Sequence, residues 1–392
     1  MAASRPPPDC CIIGGGIIGL SIARELAGRG ATVRVLARDR DRSTSSWAAA
    51  GIFPPAPRHA HETPGETLTG WSDKLHRLWA AELLDETGID NGLERCGGLH
   101  VARDAAHLAT LEATAVSWRD RNASCEMLDA RGVATVEPGL ENAVRRGVIV
   151  GGLFLPDETQ IRSSHHLEAV RQSCLRRGVE ISTGVTVTAI ATGDDCLEHV
   201  EITTADGGRE TVGAATYCLA AGAWSGALAG ILNLHVETKP VRGQIALLKF
   251  PRPVVRRVIN MGVDYLLSRR DGRLLVGSTL EDAGFDGSTT PEAIERLRGV
   301  AALLLGDIST GSLEHAWAGL RPGSIDGLPS IGRLPGCRNG FIAAGHFRAG
   351  LHQSTGTAVA IADLVTGRQP PIDLTGFAPD RNRTARDPLM PP

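Results

Sequence analysis

Apolar and polar positions recur along this chain in two rhythms, and the rhythms mark out its elements. Residues 9–13 are a short apolar run that reads as a buried strand. Residues 18–28 carry Ile18, Ile22, Ala23 and Leu26 on one helical face. Gly30 ends that helix, and residues 32–36 predict a second strand. Together they make a βαβ unit of about thirty residues. Residues 67–86 predict a long amphipathic helix, with Leu68, Trp71, Leu75, Leu78 and Leu83 at helical spacing. Further helices are predicted over 105–121, 164–177, 292–305 and 355–366. Strands are predicted over 97–102, 153–156, 180–191, 216–220, 240–250 and 340–344. Residues 262–278 read as strand folded back at Arg270-Asp271-Gly272-Arg273. Residues 43–57 read as a loop of small residues and prolines. The tail after Phe377 is poor in apolar residues and reads as disordered.

Dinucleotide-type pieces thus stand at the N-terminus, near 180–225 and near 340–366, with sheet-rich pieces between them. At 392 residues the chain is too long for one simple core. The expected fold mixes α/β and α+β: a Rossmann-like cofactor domain interleaved with an antiparallel-sheet substrate domain. The cofactor domain is assigned to 1–90, 145–232 and 316–392, and the substrate domain to 91–144 and 233–315.

Composition narrows the function. A net charge of −3 and scattered arginine pairs argue against a nucleic-acid partner. Eight cysteines with no Cys-x-x-Cys pair read as reduced thiols of a cytoplasmic protein. Four glycines cut the apolar stretch at residues 10–20, which excludes a signal peptide, and no stretch reads as a membrane span. His59-Ala60-His61-Glu62 lacks the further spacing of a metal site, so no metal is expected. His165-His166 opens a helix and reads as surface.

The chemistry begins at Gly14-Gly15-Gly16-Ile17-Ile18-Gly19. Gly14 permits the tight turn out of the first strand, Gly16 lets backbone approach a pyrophosphate, and Gly19 lets the helix pack closely on the strand. The phosphates would then lie at the positive N-terminus of the helix. An acidic residue is expected at the end of the second strand to hold the ribose. Ala37 stands there instead. Asp39 can take that role two residues later, and Arg38 can lie over the adenine or near a phosphate, or both can belong to a solvated charge run. The small side chains and hydroxyls of Ser43-Thr44-Ser45-Ser46-Trp47-Ala48-Ala49-Ala50-Gly51 suit a flat ring and its phosphates.

These blocks resemble the glycine oxidase and D-amino-acid oxidase group of flavoproteins, over residues 9–367. The resemblance includes Leu155-Pro156-Asp157-Glu158, Ala221-Gly222-Ala223-Trp224-Ser225-Gly226 and Val276-Gly277-Ser278-Thr279-Leu280. Its most specific blocks are Trp317-Ala318-Gly319-Leu320-Arg321-Pro322-Gly323 and Gly345-His346-Phe347-Arg348-Ala349-Gly350. It implies non-covalent FAD, held by Gly14, Gly16, Ile17, Ile18, Gly19, Arg38, Asp39, Ser45, Ser46, Ala49, Ala50 and Gly51. Val187, Ala221, Gly222, Trp224, His346, Arg348, Ala349, Gly350 and Leu351 complete that set. It also implies that Arg321 binds the substrate carboxylate with help from Tyr265 and Arg348, while Leu280 and Ile52 line a small apolar pocket. An arginine suits the task because its planar fork pairs two carboxylate oxygens at once. His352 departs from the family's apolar pattern, and it either faces the flavin or points away.

The implied reaction moves a hydride from a small amino acid such as glycine, sarcosine or D-alanine to flavin. The products are an imine, hydrolysed to a keto acid and ammonia, and hydrogen peroxide from O2. No residue is expected to act as acid or base. A role in making the thiazole of thiamine follows from the resemblance alone, and a homo-oligomer is compatible with it. Two other readings stand beside this one. The first is a dehydrogenase or oxidase of another secondary or D-amino acid. The second is a flavin-binding or RNA-modifying module.

Overall fold

The computed structural model describes residues 6–38, 44–232, 234, 236 and 238–383. The chain opens with β1 (Cys10–Ile13), helix α1 (Ile17–Gly28) and β2 (Val33–Ala37). All four residues of β1 are buried, because both faces of its sheet are covered. Cys10 and Ile12 point into a core shared with α1. Cys11 and Ile13 point the other way, against Val200, Ile202 and Val212. This alternation is why a continuous apolar run is needed here. The sheet has six strands, with β1 between β2 and residues Thr216–Leu219 and every pairing parallel except that of Ser330–Arg333 with Gly340–Ala344. Helices cover one face. A three-stranded antiparallel sheet covers the other, formed by Val185–Thr192, Leu197–Thr204 and Arg209–Gly213.

The single strand expected over 180–191 is therefore two. Gly184, at φ 75°, breaks it, so Glu180–Thr183 joins the parallel sheet and the remainder joins the antiparallel one. The loop expected over 43–57 contains a short helix α2 (Ser45–Ala48), capped by Thr44, and the strand Ile52–Phe53.

Helix α3 (Pro64–Thr87) starts at a capping box between Thr63 and Glu66 and stops at left-handed Gly88. Its buried stripe is Leu68, Ser72, His76, Trp79 and Leu83. Leu78, expected on that stripe, is 60% exposed. The helix turns its polar Ser72 and His76 inward because partners for both lie on neighbouring elements. In α4 (Ser163–Arg176), His166 is fully buried rather than on the surface, with Nδ1 3.2 Å from the Asn91 side-chain nitrogen.

The second large sheet has eight strands and is mostly antiparallel. Four neighbouring strands at one end of it are β3 (Lys239–Lys249), β4 (Asp264–Ser268), β5 (Arg273–Gly277) and, at the edge, β6 (Ser312–Gly323). The turn expected at 270–273 joins β4 to β5 through left-handed Gly272. Gly98–Ala102, Glu126–Asp129 and Gly151–Leu155 extend the same sheet. Helix Pro291–Leu305 packs on one face with Leu248, Leu266 and Val276. The other face carries Ile245, Leu267 and Leu275, against which Ala50, Ile52, Cys96, Tyr265 and Trp317 pack.

The last long helix, α5 (Ser354–Val365), lies on the six-stranded sheet beside α1. Residues beyond Phe377 do not conform to the expected disorder as far as residue 383. Arg381 pairs with Asp326 at 2.8 Å and donates to the Leu328 carbonyl. Charge pairing anchors this segment, and hydropathy does not register it. No helix among the described residues is long and apolar enough to cross a membrane.

Candidate functional site

The glycine loop sits at the carboxyl end of β1. A Cβ on Gly19 would lie 1.9 Å from the Gly14 carbonyl oxygen, and one on Gly14 would lie 2.2 Å from that of Ala220. Both glycines are therefore fixed by close packing, Gly14 also by its φ of 127°. A Cβ on Gly16 would meet only the Ser46 hydroxyl, at 3.1 Å. Gly16 is the N-cap of α1 and has no side chain to cap it. The Ile17 amide donates to Ser46 Oγ at 2.9 Å, and Ile18 follows half-buried. A helix N-terminus left open in this way suits an anion.

The end of β2 meets the other predicted cofactor segment. The Arg38 guanidinium lies 4.2 Å above the Trp224 ring, which stacks on Phe285 at 5.3 Å. Ala221 and left-handed Gly222 lead into Trp224, and Val187 packs on the cluster that holds Ile13 and Leu36. Ala37 is buried, and a Cβ on Gly15 would lie 2.6 Å from its own. Packing room thus explains why a small residue ends β2. Asp39, the proposed ribose partner, lies outside the described residues.

Residues 45–51 form a track from this pole to the large sheet. Ser46 is at the α1 amide, and Ser45 lies beside Gly319 of β6. The Trp317 indole donates to the Ala48 carbonyl at 3.1 Å. Gly51 has φ 77°, and a Cβ there would strike the Ile161 carbonyl oxygen at 2.0 Å. Ala50 and Ile52 end the track in the cluster that contains Tyr265.

On the large sheet, β6 holds Arg321 opposite Val241 of β3. Its guanidinium donates to Ser278 Oγ at 2.8 Å and to the Thr279 carbonyl at 3.2 Å. No carboxylate lies within ion-pair distance of Arg321 among the described residues. The side chain is half-buried, and burial pushes its pKa down to about 10; Tyr265 opposes that shift and Arg348 adds to it. Burial pushes Tyr265 up to about 12, against the pull of Arg321 and Arg348. Arginine therefore stays charged and tyrosine neutral at neutral pH.

Sequence reasoning missed two glycines here. A Cβ on Gly243 would lie 2.2 Å from the Arg321 guanidinium nitrogens, and one on Gly277 would lie 2.3 Å from the Tyr265 hydroxyl. Each glycine opens the strand surface on which a polar side chain lies. Arg242-Gly243-Gln244 and Val276-Gly277-Ser278 carried the signal, since glycine inside a strand often marks a close approach. Cys96 was missed as well. It packs with Ile52 and Tyr265, and burial pushes its pKa to about 11, with Glu158 and Glu94 adding to the shift.

The Phe347 amide donates to the Pro322 carbonyl at 2.9 Å, which fastens the 345–350 loop next to Arg321. Phe347 is left-handed at φ 47°, and Arg348, on the rim, is exposed with its guanidinium 5.9 Å from the Phe347 ring. Leu280 follows Thr279 half-buried. His346 is turned inward. Its Nε2 is 3.0 Å from Thr357 Oγ1 and burial pushes its pKa to about 3, so only its backbone faces the loop's open side. Ala349 and Gly350 are half-buried, and Leu351 is buried.

His352 points away from the large sheet. It stacks flat on Phe53, with centroids 4.2 Å apart, and its Nε2 is 3.4 Å from Asp73 of α3. His76 Nε2 lies 3.1 and 2.9 Å from the Leu351 and His352 carbonyls, so α3 holds this loop from behind. A polar residue at a core position of α3 was the only hint of this in the sequence.

The DAO family, described as FAD dependent oxidoreductase, matches residues 9–364. The chain belongs to this family. As an FAD-dependent oxidoreductase of the DAO family, it is 32% identical over 370 residues to a glycine oxidase of Pseudomonas aeruginosa, covering 94% of this chain and 97% of that one. It is 33% identical over 386 residues to a bifunctional protein ThiO/ThiG of Synechocystis, covering 97% of this chain and 55% of that one. The crystal structure of glycine oxidase from Geobacillus kaustophilus matches with a TM-score of 0.89 at 28% identity, over 97% of this chain and all of that one. The residues present fit FAD. The open N-terminus of α1 at Gly16 suits its phosphates, and the small-residue track from Ser46 to Ile52 suits a long flat ligand running to the Tyr265 face.

Proposed function

We propose that this chain is an amine oxidase that acts on glycine and other small amino acids. The observation that carries this reading is Arg321: a cation with no carboxylate partner among the described residues, beside Tyr265, where the 45–51 track ends. A guanidinium so placed is complemented by a carboxylate that the substrate brings. Bound FAD supplies a two-electron acceptor that O2 reoxidises. Amine, O2 and water give the keto acid, ammonia and hydrogen peroxide.

The chain's own residues bind and orient. Arg321 holds the carboxylate, with Ser278 Oγ and the Thr279 carbonyl fixing the plane of its fork. Tyr265, kept protonated, donates to the same group. Ile52 and Leu280, both half-buried, are the apolar side chains assigned to the substrate's own side chain. No group in this set acts as acid or base, so the amine reacts as the neutral form that solvent supplies. Non-covalent attachment is supported by Cys96, whose raised pKa keeps it a thiol, and by Cys337, which donates to Asn339 in a different cluster. The six-stranded sheet supports a cofactor domain near 1–90, 145–232 and 316–392. Gly151–Leu155 pairs with Gly98–Ala102 and Ser312–Gly323 with β3, which supports counting those two strands with the substrate domain instead of within these bounds. A link to thiazole synthesis rests on the glycine oxidase and ThiO/ThiG relatives.

The test is direct. The purified protein is expected to show a flavin spectrum and to make peroxide with glycine, sarcosine or D-alanine. A colourless protein that cannot be reconstituted with FAD overturns the reading. Reduction by glycine only with a dye in place of O2 makes it a dehydrogenase.

A further inference from the structure

Arg269 follows β4 directly, and its backbone is fixed by the turn. Its amide donates to the Arg273 carbonyl at 2.7 Å, and its own carbonyl accepts from Gly272 at 3.0 Å. The side chain is turned inward and the residue is only 7% exposed. There it donates to three neutral oxygens: Gln160 Oε1 at 2.8 Å, the Ala50 carbonyl at 2.7 Å and the Ile161 carbonyl at 3.2 Å. Among the described residues no carboxylate pairs with it. The acid nearest in sequence, Asp271, is held by Arg162 at 3.3 Å and Arg273 at 3.1 Å. A buried charge without a counter-charge costs several kcal/mol unless something offsets it. Among the described residues its hydrogen-bond acceptors are these three carbonyl-type dipoles, with Asp271 attracting it only from a distance.

The position of those dipoles gives the residue its meaning. Ala50 belongs to the small-residue track, and the Ile161 amide donates to the Gly51 carbonyl at 2.8 Å. Arg269 therefore clamps both sides of the Gly51–Ile161 contact at the end of the track that meets Tyr265. Burial, with Arg162 adding to it, holds its pKa near 10, so it stays charged at neutral pH. We propose that Arg269 is a positioning residue for the cofactor ring: it fixes the Ala50–Gly51 backbone and supplies, from behind that backbone, a buried positive charge that favours the reduced ring. The inference rests on the reading that residues 45–51 lie along FAD. Taking up two electrons and one proton leaves the ring one unit more negative, and a fixed cation favours that state.

The experiment uses light-driven anaerobic reduction of the FAD-loaded protein against a reference dye, so no amine substrate is involved. Arg269→Gln is expected to lower the equilibrium constant for reduction of bound FAD by about tenfold. Its kcat for glycine falls by more than its KM changes. Arg269→Lys keeps the charge but not the planar fork, so it restores the reduction equilibrium to within about threefold while FAD dissociates more readily. If Arg269→Gln does not fold, the lysine variant decides the question: an equilibrium and an FAD affinity both equal to those of the parent overturn the proposal. An unchanged equilibrium in Arg269→Gln overturns it too. Failure of the amine oxidase reading would look different, as a flavoprotein that light reduces normally but glycine does not.

Discussion

Two arginines, Arg24 in α1 and Arg321 in β6, are held inside the protein in opposite ways. Arg24 is 1% exposed and finds everything it needs in its own chain. Glu82 lies 2.8 Å away and Glu86 3.2 Å, Ser173 accepts from its Nε, and its guanidinium covers the Trp79 ring at 4.4 Å. Those partners come from α3 and α4, so the charge cluster ties three helices together. Arg321 has a hydroxyl and a carbonyl and, among the described residues, no acid within ion-pair distance. It is half-buried and interacts electrostatically with Tyr265. The difference teaches how to tell a structural cation from a binding one: the first is neutralised within the fold, and the second is left short of one anion.

The largest effect is expected at Arg321. Arg321→Met should lower kcat/KM for glycine by about a thousandfold, mainly through KM, since a desolvated carboxylate loses its partner. The flavin spectrum should persist, and the melting temperature of the substrate-free enzyme should not fall. An unchanged KM removes Arg321 from the site and erases the contrast. Arg24→Met should do the reverse. Its glutamates are partly open to water, so the loss is about 2 kcal/mol of stability, read from the urea midpoint, with KM unaltered. A changed KM at full occupancy by FAD would blur the two classes. Tyr265→Phe removes one neutral hydrogen bond to the carboxylate and should raise KM about fivefold.

The smallest effect is a dependence of stability on pH that comes from three buried histidines. His166 is held down near 4 by burial, with Arg24 adding to it; burial also holds His346 near 3, and His76 is pushed well below its ordinary value. These residues fold neutral, whereas in the unfolded chain they take up protons near pH 6.5. Their contribution is complete above about 6.5 and is lost as pH falls from there toward 4. Between pH 7 and 5.5 the urea midpoint should decline, and His166→Asn should make the decline shallower. An equal slope in parent and variant would show that His166 does not titrate in that window.

Much of the scaffold was legible because its signals are local. The α1 pattern, the turn at Arg270 to Arg273 and the strand Gly340–Ala344 follow from period, glycine and apolar content within a few residues. The elements that escaped notice depend on partners. β6 starts with exposed and partly exposed residues, so its alternation is weak until it pairs along the whole of β3. His166 reads as surface until Asn91 and α3 are brought over it. Residues 378–383 carry their order in Arg381, whose partner Asp326 is 55 positions away.

By itself the sequence determined the glycine loop between β1 and α1 and the expectation of a dinucleotide there, and its motif blocks carried the family. The close packing of Gly19 on Gly14 and the apolar run of β1 are properties that neighbouring residues already impose. Only the tertiary structure decided which charges are spent on the fold and which are left for ligands. Arg24 and Arg269 stand in unremarkable local contexts, and only a motif block singled out Arg321. Whether a guanidinium meets a carboxylate depends on side chains that the chain brings from tens or hundreds of positions away.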